Sequence, residues 1–121
     1  MIKIIALRES GWLDRNADNG IWHLVCAAYG IDSKDFFLFD DLIDIPNVIS
    51  GTIVVMDEQG ETNLNDFTHP EDATYIFGRT HVNDLIEIPH DHSVVIPYPG
   101  NGTLFGVTAA AITFADRLRK E

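Results

Sequence analysis

The most constraining feature of this chain is a pair of short apolar runs that stop at glycine or proline, followed by a small-residue loop and an Ala-rich helix. The stretch reads ATYIFGRT, then IEIPHDHSVVIPYPGNGTLFGVTAAAITFADRL, from Ala73 onward. One β run ends at Phe77-Gly78 and the next at Ile96-Pro97. Glycine at a strand end admits close backbone approach, because no Cβ stands in the way. A helix entered from a glycine-rich loop presents unpaired N–H groups. Two strand ends and one helix start converging is how an open α/β sheet builds a ligand crevice. The side chains at this place carry little chemistry.

The remaining segments agree with such a sheet. Ile2 to Leu7 reads as a buried strand, as do Phe36–Phe39, Thr52–Met56, Thr74–Phe77 and Val94–Ile96. Glu9 to Asn19 reads as a loop in which Asp18 or Asn19 caps a helix over Gly20–Tyr29, and Gly30 stops it. Asp40 to Pro46 reads as loop or short helix, Asn65-Asp66-Phe67 as a helical turn, and Thr108–Arg119 as the last helix. Short, continuously apolar strands separated by helices or long crossovers predict an α/β fold with a mostly parallel five- or six-stranded sheet. At 121 residues the chain reads as one domain, 1–121, able to bury about two-thirds of its unfolded surface. The lone Cys26 excludes an internal disulfide, no apolar run reaches the ~18 residues of a membrane span, and Met1–Leu7 is too short for a signal core. A cytoplasmic protein without a membrane partner is expected.

Net charge is −11, and between Lys34 and Arg117 the only fixed cation is Arg79, against fourteen Asp and Glu. A broad phosphate-binding surface needs clustered Lys and Arg. The other basic residues sit near the start (Lys3, Arg8, Arg15, Lys34) and at the end (Arg117, Arg119, Lys120). They form either one modest basic edge or ordinary solvated surface.

Taken together, the segments resemble the SpoU branch of the SPOUT methyltransferases. GIWHLVCAAYGID is similar to that family's first motif, Asn-x-Gly-x-x-x-Arg opening a helix; TIVVMDEQGETNLNDFTHPEDATYIFGRT is similar to its middle strand and to the second motif strand ending in Phe-Gly. VVIPYPGNGTLFGVTAAAI is similar to the third motif, Ile-Pro followed by a small-residue loop, Ser-Leu-Asn-Val-Ser and an Ala-rich helix. The resemblance covers nearly the whole chain. It implies a C-terminal trefoil knot, S-adenosylmethionine as cofactor, a homodimer, and a ribose 2′-hydroxyl of tRNA or rRNA as methyl acceptor. The implied cofactor-binding residues are Met56, Phe77, Gly78, Ile96, Pro97, Thr103 and Leu104.

The departures fall on the catalytic side chains. Asp18 stands at the family's Asn, Leu24 at its catalytic Arg, Thr80 at the second-motif Glu, and Phe105 at the third-motif Asn. What survives is backbone and shape: Gly78, Ile96-Pro97, Leu104 and Ala109-Ala110-Ala111. An alcohol is a poor nucleophile at neutral pH and needs a positioned proton acceptor. The catalytic group is therefore unassigned, and the candidates by position are Arg8, Arg15, His23 and Arg79. The alternative is a catalytically inactive cofactor-binding protein, or a dimeric scaffold, on the same fold.

Other constellations point less far. His81, His90, Asp91 and His92, with Asp84 and Glu87 near, have no second ligand pair at defined spacing, so a polar loop is expected there rather than a metal site. His69-Pro70-Glu71-Asp72 reads as a turn with Pro at a first helical position. Ser10 and Ser93 lack a nucleophile-elbow context. Gly100-Asn101-Gly102 lacks the third glycine of a dinucleotide fingerprint. Trp12 and Trp22 read as core or interface residues before base-stacking platforms.

Overall fold

Five largely apolar runs fold as parallel strands of one sheet: β1 (Ile2–Leu7), β2 (Phe36–Phe39), β3 (Thr52–Met56), β5 (Ala73–Phe77) and β6 (His92–Val95). A two-residue strand, β4 (Thr62–Asn63), completes the order β2-β1-β5-β3-β6-β4, parallel throughout. The computed structural model describes residues 1–9, 15–40, 45, 51–79 and 85–121, without the side chains of Arg15 and Asn16.

The register fixes where the sheet ends. Ala6 pairs with Phe77, Phe77 with Met56, and Met56 with Val94, so one row crosses four strands near their carboxyl ends. Gly78, Asp57 and Val95 therefore follow that row together at one edge.

Within the all-apolar strands, alternate residues serve opposite faces. Ile4, Ala6, Val54, Met56, Tyr75, Phe77 and Val94 share a core with Trp22 and Cys26 of α1 (Arg15–Ala28) and with Val107, Ala110 and Phe114 of α2 (Gly106–Lys120). Ile5, Leu7, Ile53, Val55 and Ile76 pack on the other face with Ile45, Leu85 and Ile88. Trp22 is buried and stacks on Phe36 at 5.3 Å between centroids, which makes it a core residue.

Both helices begin before the predicted points. α1 starts at Arg15 rather than Gly20, so Asp18 lies in its first turn and is not the cap. Its buried carboxylate accepts the Glu9 backbone N–H at 2.9 Å, tying the helix start to the exit of β1. An acid is favoured in a first turn by the helix dipole, and that tertiary bond outweighs the weak propensity of Asn16-Ala17-Asp18-Asn19-Gly20. At the other end Gly30 (φ +71) terminates α1 as expected. α2 starts at Gly106, two residues before Thr108, for a packing reason given below.

β4 carries no periodic signal and was not predicted. Between β3 and β4 the chain crosses β6, and Gly60 makes the crossing: a Cβ there would lie 2.4 Å from the Val94 carbonyl carbon. The turn is pinned by Asp57 N–H to Val94 O at 3.0 Å, and Ser93 Oγ accepts the Glu61 N–H at 3.0 Å. Ser93 is thus a buried residue of β6 that braces the crossing chain. No helix forms at Pro70; the stretch bends directly into β5. Ser10, Trp12, Asp41–Asp44, Pro46, Thr80, His81 and Asp84 lie outside the described residues.

Candidate functional site

At the carboxyl edge, just beyond the row Met56–Phe77–Val94, the ends of β3, β5 and β6 and the start of α2 enclose a cleft. It holds about 580 Å³ of empty space, open solvent at its mouth included. Met56, Phe77, Gly78, Ile96, Thr103 and Leu104, all predicted from sequence, line it; Pro97 does not. Its neighbours Ile96 and Tyr98 supply the wall there. The inner wall is apolar, with Val94, Leu85 and Ala109 added. Charge enters through Asp57, Glu58 and Arg79, none of them in the predicted cofactor set.

The two glycines at the cleft differ in what they allow. A Cβ at Gly78 would meet Leu85 Cδ1 at 2.8 Å, so the missing side chain makes room for Leu85, itself a wall residue, rather than directly for a ligand. A Cβ at Gly106 would meet the Gly78 carbonyl oxygen at 2.5 Å, and no side chain can yield there because the obstacle is backbone. That approach sets the start of α2 against the end of β5. Phe105 precedes it without a side-chain cap bond.

The four catalytic candidates separate. Arg79 lines the cleft, with Nη1 donating to the Asp40 carbonyl at 2.9 Å. Arg8 reaches the same residue from the end of β1, its Nε donating to Asp40 Oδ1 at 2.7 Å. Asp40 thus gathers two guanidinium groups at one edge. His23 is exposed on α1 and meets the Phe36 ring edge-on at 5.4 Å; it is not in the cleft wall. The backbone of Arg15 opens α1, and its side chain lies outside the described residues. Leu24, at the family's Arg position, is 72% exposed.

Two of the C-terminal basic residues bond to backbone carbonyls, while Arg119 keeps its side chain 69% exposed. Arg117 Nη1 donates to the Pro70 carbonyl at 2.6 Å and to Tyr75 Oη at 2.9 Å, and Lys120 Nζ donates to the carbonyls of Leu64 and Phe67 at 2.6 and 2.7 Å. Beneath them lies a buried polar chain that the sequence did not reveal. His69 Nδ1 is 2.7 Å from Tyr75 Oη and His69 Nε2 is 2.8 Å from Asp116 Oδ2. Arg119 and Lys120 pair with the same carboxylate. Burial holds the His69 imidazole below its ordinary value, against the opposing pull of Asp116. Burial pushes the Asp116 carboxyl up, but its hydrogen bonds from Lys120 and His69 outweigh that and hold it low.

Three of the residues considered for a metal have structural partners, and His81 lies outside the described residues. Asp91 Oδ2 accepts the Ile53 N–H at 2.8 Å, His90 Nδ1 faces the Ile88 carbonyl at 2.5 Å, and His92 meets the Phe67 ring edge-on. Among the described residues no three His, Cys, Asp or Glu side chains gather, and no helix is long and apolar enough to cross a membrane.

The fold as a whole superposes on solved structures at TM-scores of 0.65 to 0.72. The SpoU methyltransferase AviRb from Streptomyces viridochromogenes, in complex with AdoMet, superposes with a TM-score of 0.71 over 98% of this chain and 57% of its own, at 17% identity. This chain has the SpoU methyltransferase fold.

Two further SpoU-fold comparisons agree. The A. aeolicus TrmH/SpoU tRNA modifying enzyme gives a TM-score of 0.67 over 98% of this chain and 74% of its own, at 16% identity. A protein solved in work on 2-OH methylation of C/U34 on tRNA gives 0.72 over 98% and 89%, at 16% identity. The chain spans little more than half the length of AviRb and most of the length of the last protein. No family model and no curated protein matches the sequence. The likeness is one of SpoU fold, held by backbone and packing at low identity.

Proposed function

We propose that the chain is a SpoU-like RNA 2′-O-methyltransferase homologue that binds S-adenosylmethionine in the cleft, with weak methyl transfer. The carrying observation is the coincidence of position: six of the seven residues implied for the cofactor line one cleft at the carboxyl edge of a SpoU-fold sheet. The wall fits such a group. A flat adenine suits apolar side chains such as Ile96 and Leu104, while strand-end backbone at Met56 and Gly78 offers polar groups for its edge. When bound, S-adenosylmethionine supplies an electrophilic methyl group.

The acceptor side is poor. Of the candidates with described side chains, only Arg79 reaches the cleft wall, and a guanidinium group offers donors and no acceptor, so it holds an anion rather than taking a proton. Leu24 points to solvent and Phe105 carries no acceptor. These observations favour the alternative of a cofactor-binding protein with little or no catalysis as the limit of the same reading.

The proposal includes the knot and the dimer of that fold, a tRNA or rRNA partner and a cytoplasmic setting. The dimer has surface support. Ile21 and Leu24 of α1 and Ile112, Ala115 and Leu118 of α2 are exposed on two helices that touch each other, an apolar face suited to isologous pairing. Phe114 of the same helix is buried in the core, its ring packing on Tyr75 and Phe77. Calorimetric titration with S-adenosylmethionine, then a transfer assay on total RNA, tests the proposal: micromolar binding is expected, and no binding at millimolar cofactor would refute it.

A further inference from the structure

We propose that Glu58 is the acceptor for the ribose diol of a nucleoside held in the cleft, and so determines the specificity of the site for ribo- over deoxyribonucleosides. The inference rests on the nucleoside-binding reading above and adds a residue and a discrimination to it.

Glu58 is presented by a turn that cannot swing away. The Gly60 backbone lies directly on β6, and the Asp57 N–H is bonded to Val94 O. The neighbouring carboxylate is consumed locally, since Asp57 Oδ1 accepts the Gln59 N–H at 2.8 Å. Glu58 is exposed and its side chain lines the cleft. Its Oε1 accepts from Thr103 Oγ1 at 2.6 Å and from Tyr98 Oη at 3.3 Å. Both hydroxyls come from the opposite loop, so the carboxylate is aimed across the mouth. Oε2 has no hydrogen-bond partner among the described residues, and the cation of the same cleft, Arg79, is bonded to Asp40 instead.

A carboxylate is acceptor-only at neutral pH, and its hydrogen bonds are charge-assisted. It already receives two hydroxyls here, which is the chemistry a vicinal diol presents. An acid just past a strand end taking ribose hydroxyls is a recurring solution in parallel sheets. Phosphate and carboxylate ends of a ligand are repelled by Glu58, which leaves the sugar as the portion that fits beside it.

The test is a titration of the full chain with 5′-methylthioadenosine and its 2′-deoxy analogue, alongside S-adenosylmethionine. Loss of the 2′-hydroxyl should weaken binding to the unaltered protein by about tenfold or more. Glu58→Ala should weaken the ribonucleoside by a similar factor and the deoxy compound, which keeps only the 3′-hydroxyl, clearly less, with the fold checked by thermal melting. Equal affinity of the unaltered protein for the two nucleosides overturns the assignment while leaving the cleft a nucleoside site. An equal loss of both ligands in Glu58→Ala also overturns it, because Glu58 would then act only as a brace for Thr103. Failure of the unaltered protein to bind any of the three ligands overturns this inference together with the function proposed above.

Discussion

Gly106 lies so close to Gly78 that a Cβ on the first would sit 2.5 Å from the carbonyl oxygen of the second. That contact joins the start of α2 to the end of β5 and closes the inner end of the cleft. Gly106→Ala should therefore force a backbone shift, costing about 1–3 kcal/mol. Urea unfolding would show it as a lowered midpoint. An unchanged midpoint would mean that α2 slides freely along the sheet.

Gly78→Val acts through a different neighbour. Its branched side chain would displace Leu85, whose Cδ1 stands 2.8 Å from the Cβ position, and crowd the wall they share. We expect S-adenosylmethionine affinity to fall at least about tenfold while the fold survives, because the obstacle is a movable side-chain tip. Calorimetric titration of a folded variant with unchanged affinity would remove Gly78 from the site.

The buried chain Tyr75–His69–Asp116 makes stability depend on pH. His69 has a lowered folded value because it is buried, so the unfolded chain takes up its proton first, near the ordinary 6.5, and stability falls as pH drops below that point. Asp116 is also held below its ordinary 3.8, so its contribution is present above that value and is lost as pH falls further, through the folded value. Urea midpoints measured from pH 8 to pH 3 should thus decline in two stages. His69→Gln, an amide that can donate and accept but not titrate, should lose the first stage only; persistence of both would assign the first to other groups.

Methyl transfer to RNA should be weak or undetectable, and Leu24→Arg alone should not restore it. Groups that act as a unit are not additive, and Thr80 and Phe105 remain at the other two catalytic positions. The −11 charge opposes RNA approach, and added salt would weaken whatever basic contacts exist. Radiolabelled transfer on total RNA is the measurement. A robust rate in the unaltered protein would direct the search to Arg79 and Arg8 at Asp40.

Light scattering at micromolar concentration should give the mass of a dimer. Leu24→Glu with Leu118→Glu would place charges on the exposed faces of α1 and α2 and should shift the mass toward a monomer without unfolding the core, since neither side chain is buried. A monomer for the unaltered chain would leave those faces for another role.

Strand positions were legible in the sequence because parallel strands are buried on both sides: runs such as Ile4-Ile5-Ala6-Leu7 and Ile53-Val54-Val55-Met56 can be little else in a chain this size. Gly78 and Ile96 were legible for a related reason, since chain breaks at strand ends mark the carboxyl edge of such a sheet, whereas Leu104 was implied by the family resemblance. Strand order, the crossing at Gly60 and the stub β4 were not, because pairing partners and backbone approaches lie far apart in sequence and leave no periodic trace. The same holds for charge. Sequence counts left Arg117 as a surface cation and His69 as a turn residue, yet backbone carbonyls and the Asp116 carboxylate draw both inward. Composition determines how much charge a chain carries; only the tertiary fold, by bringing a buried acceptor within about 3 Å of a donor, decides which charges still face the solvent.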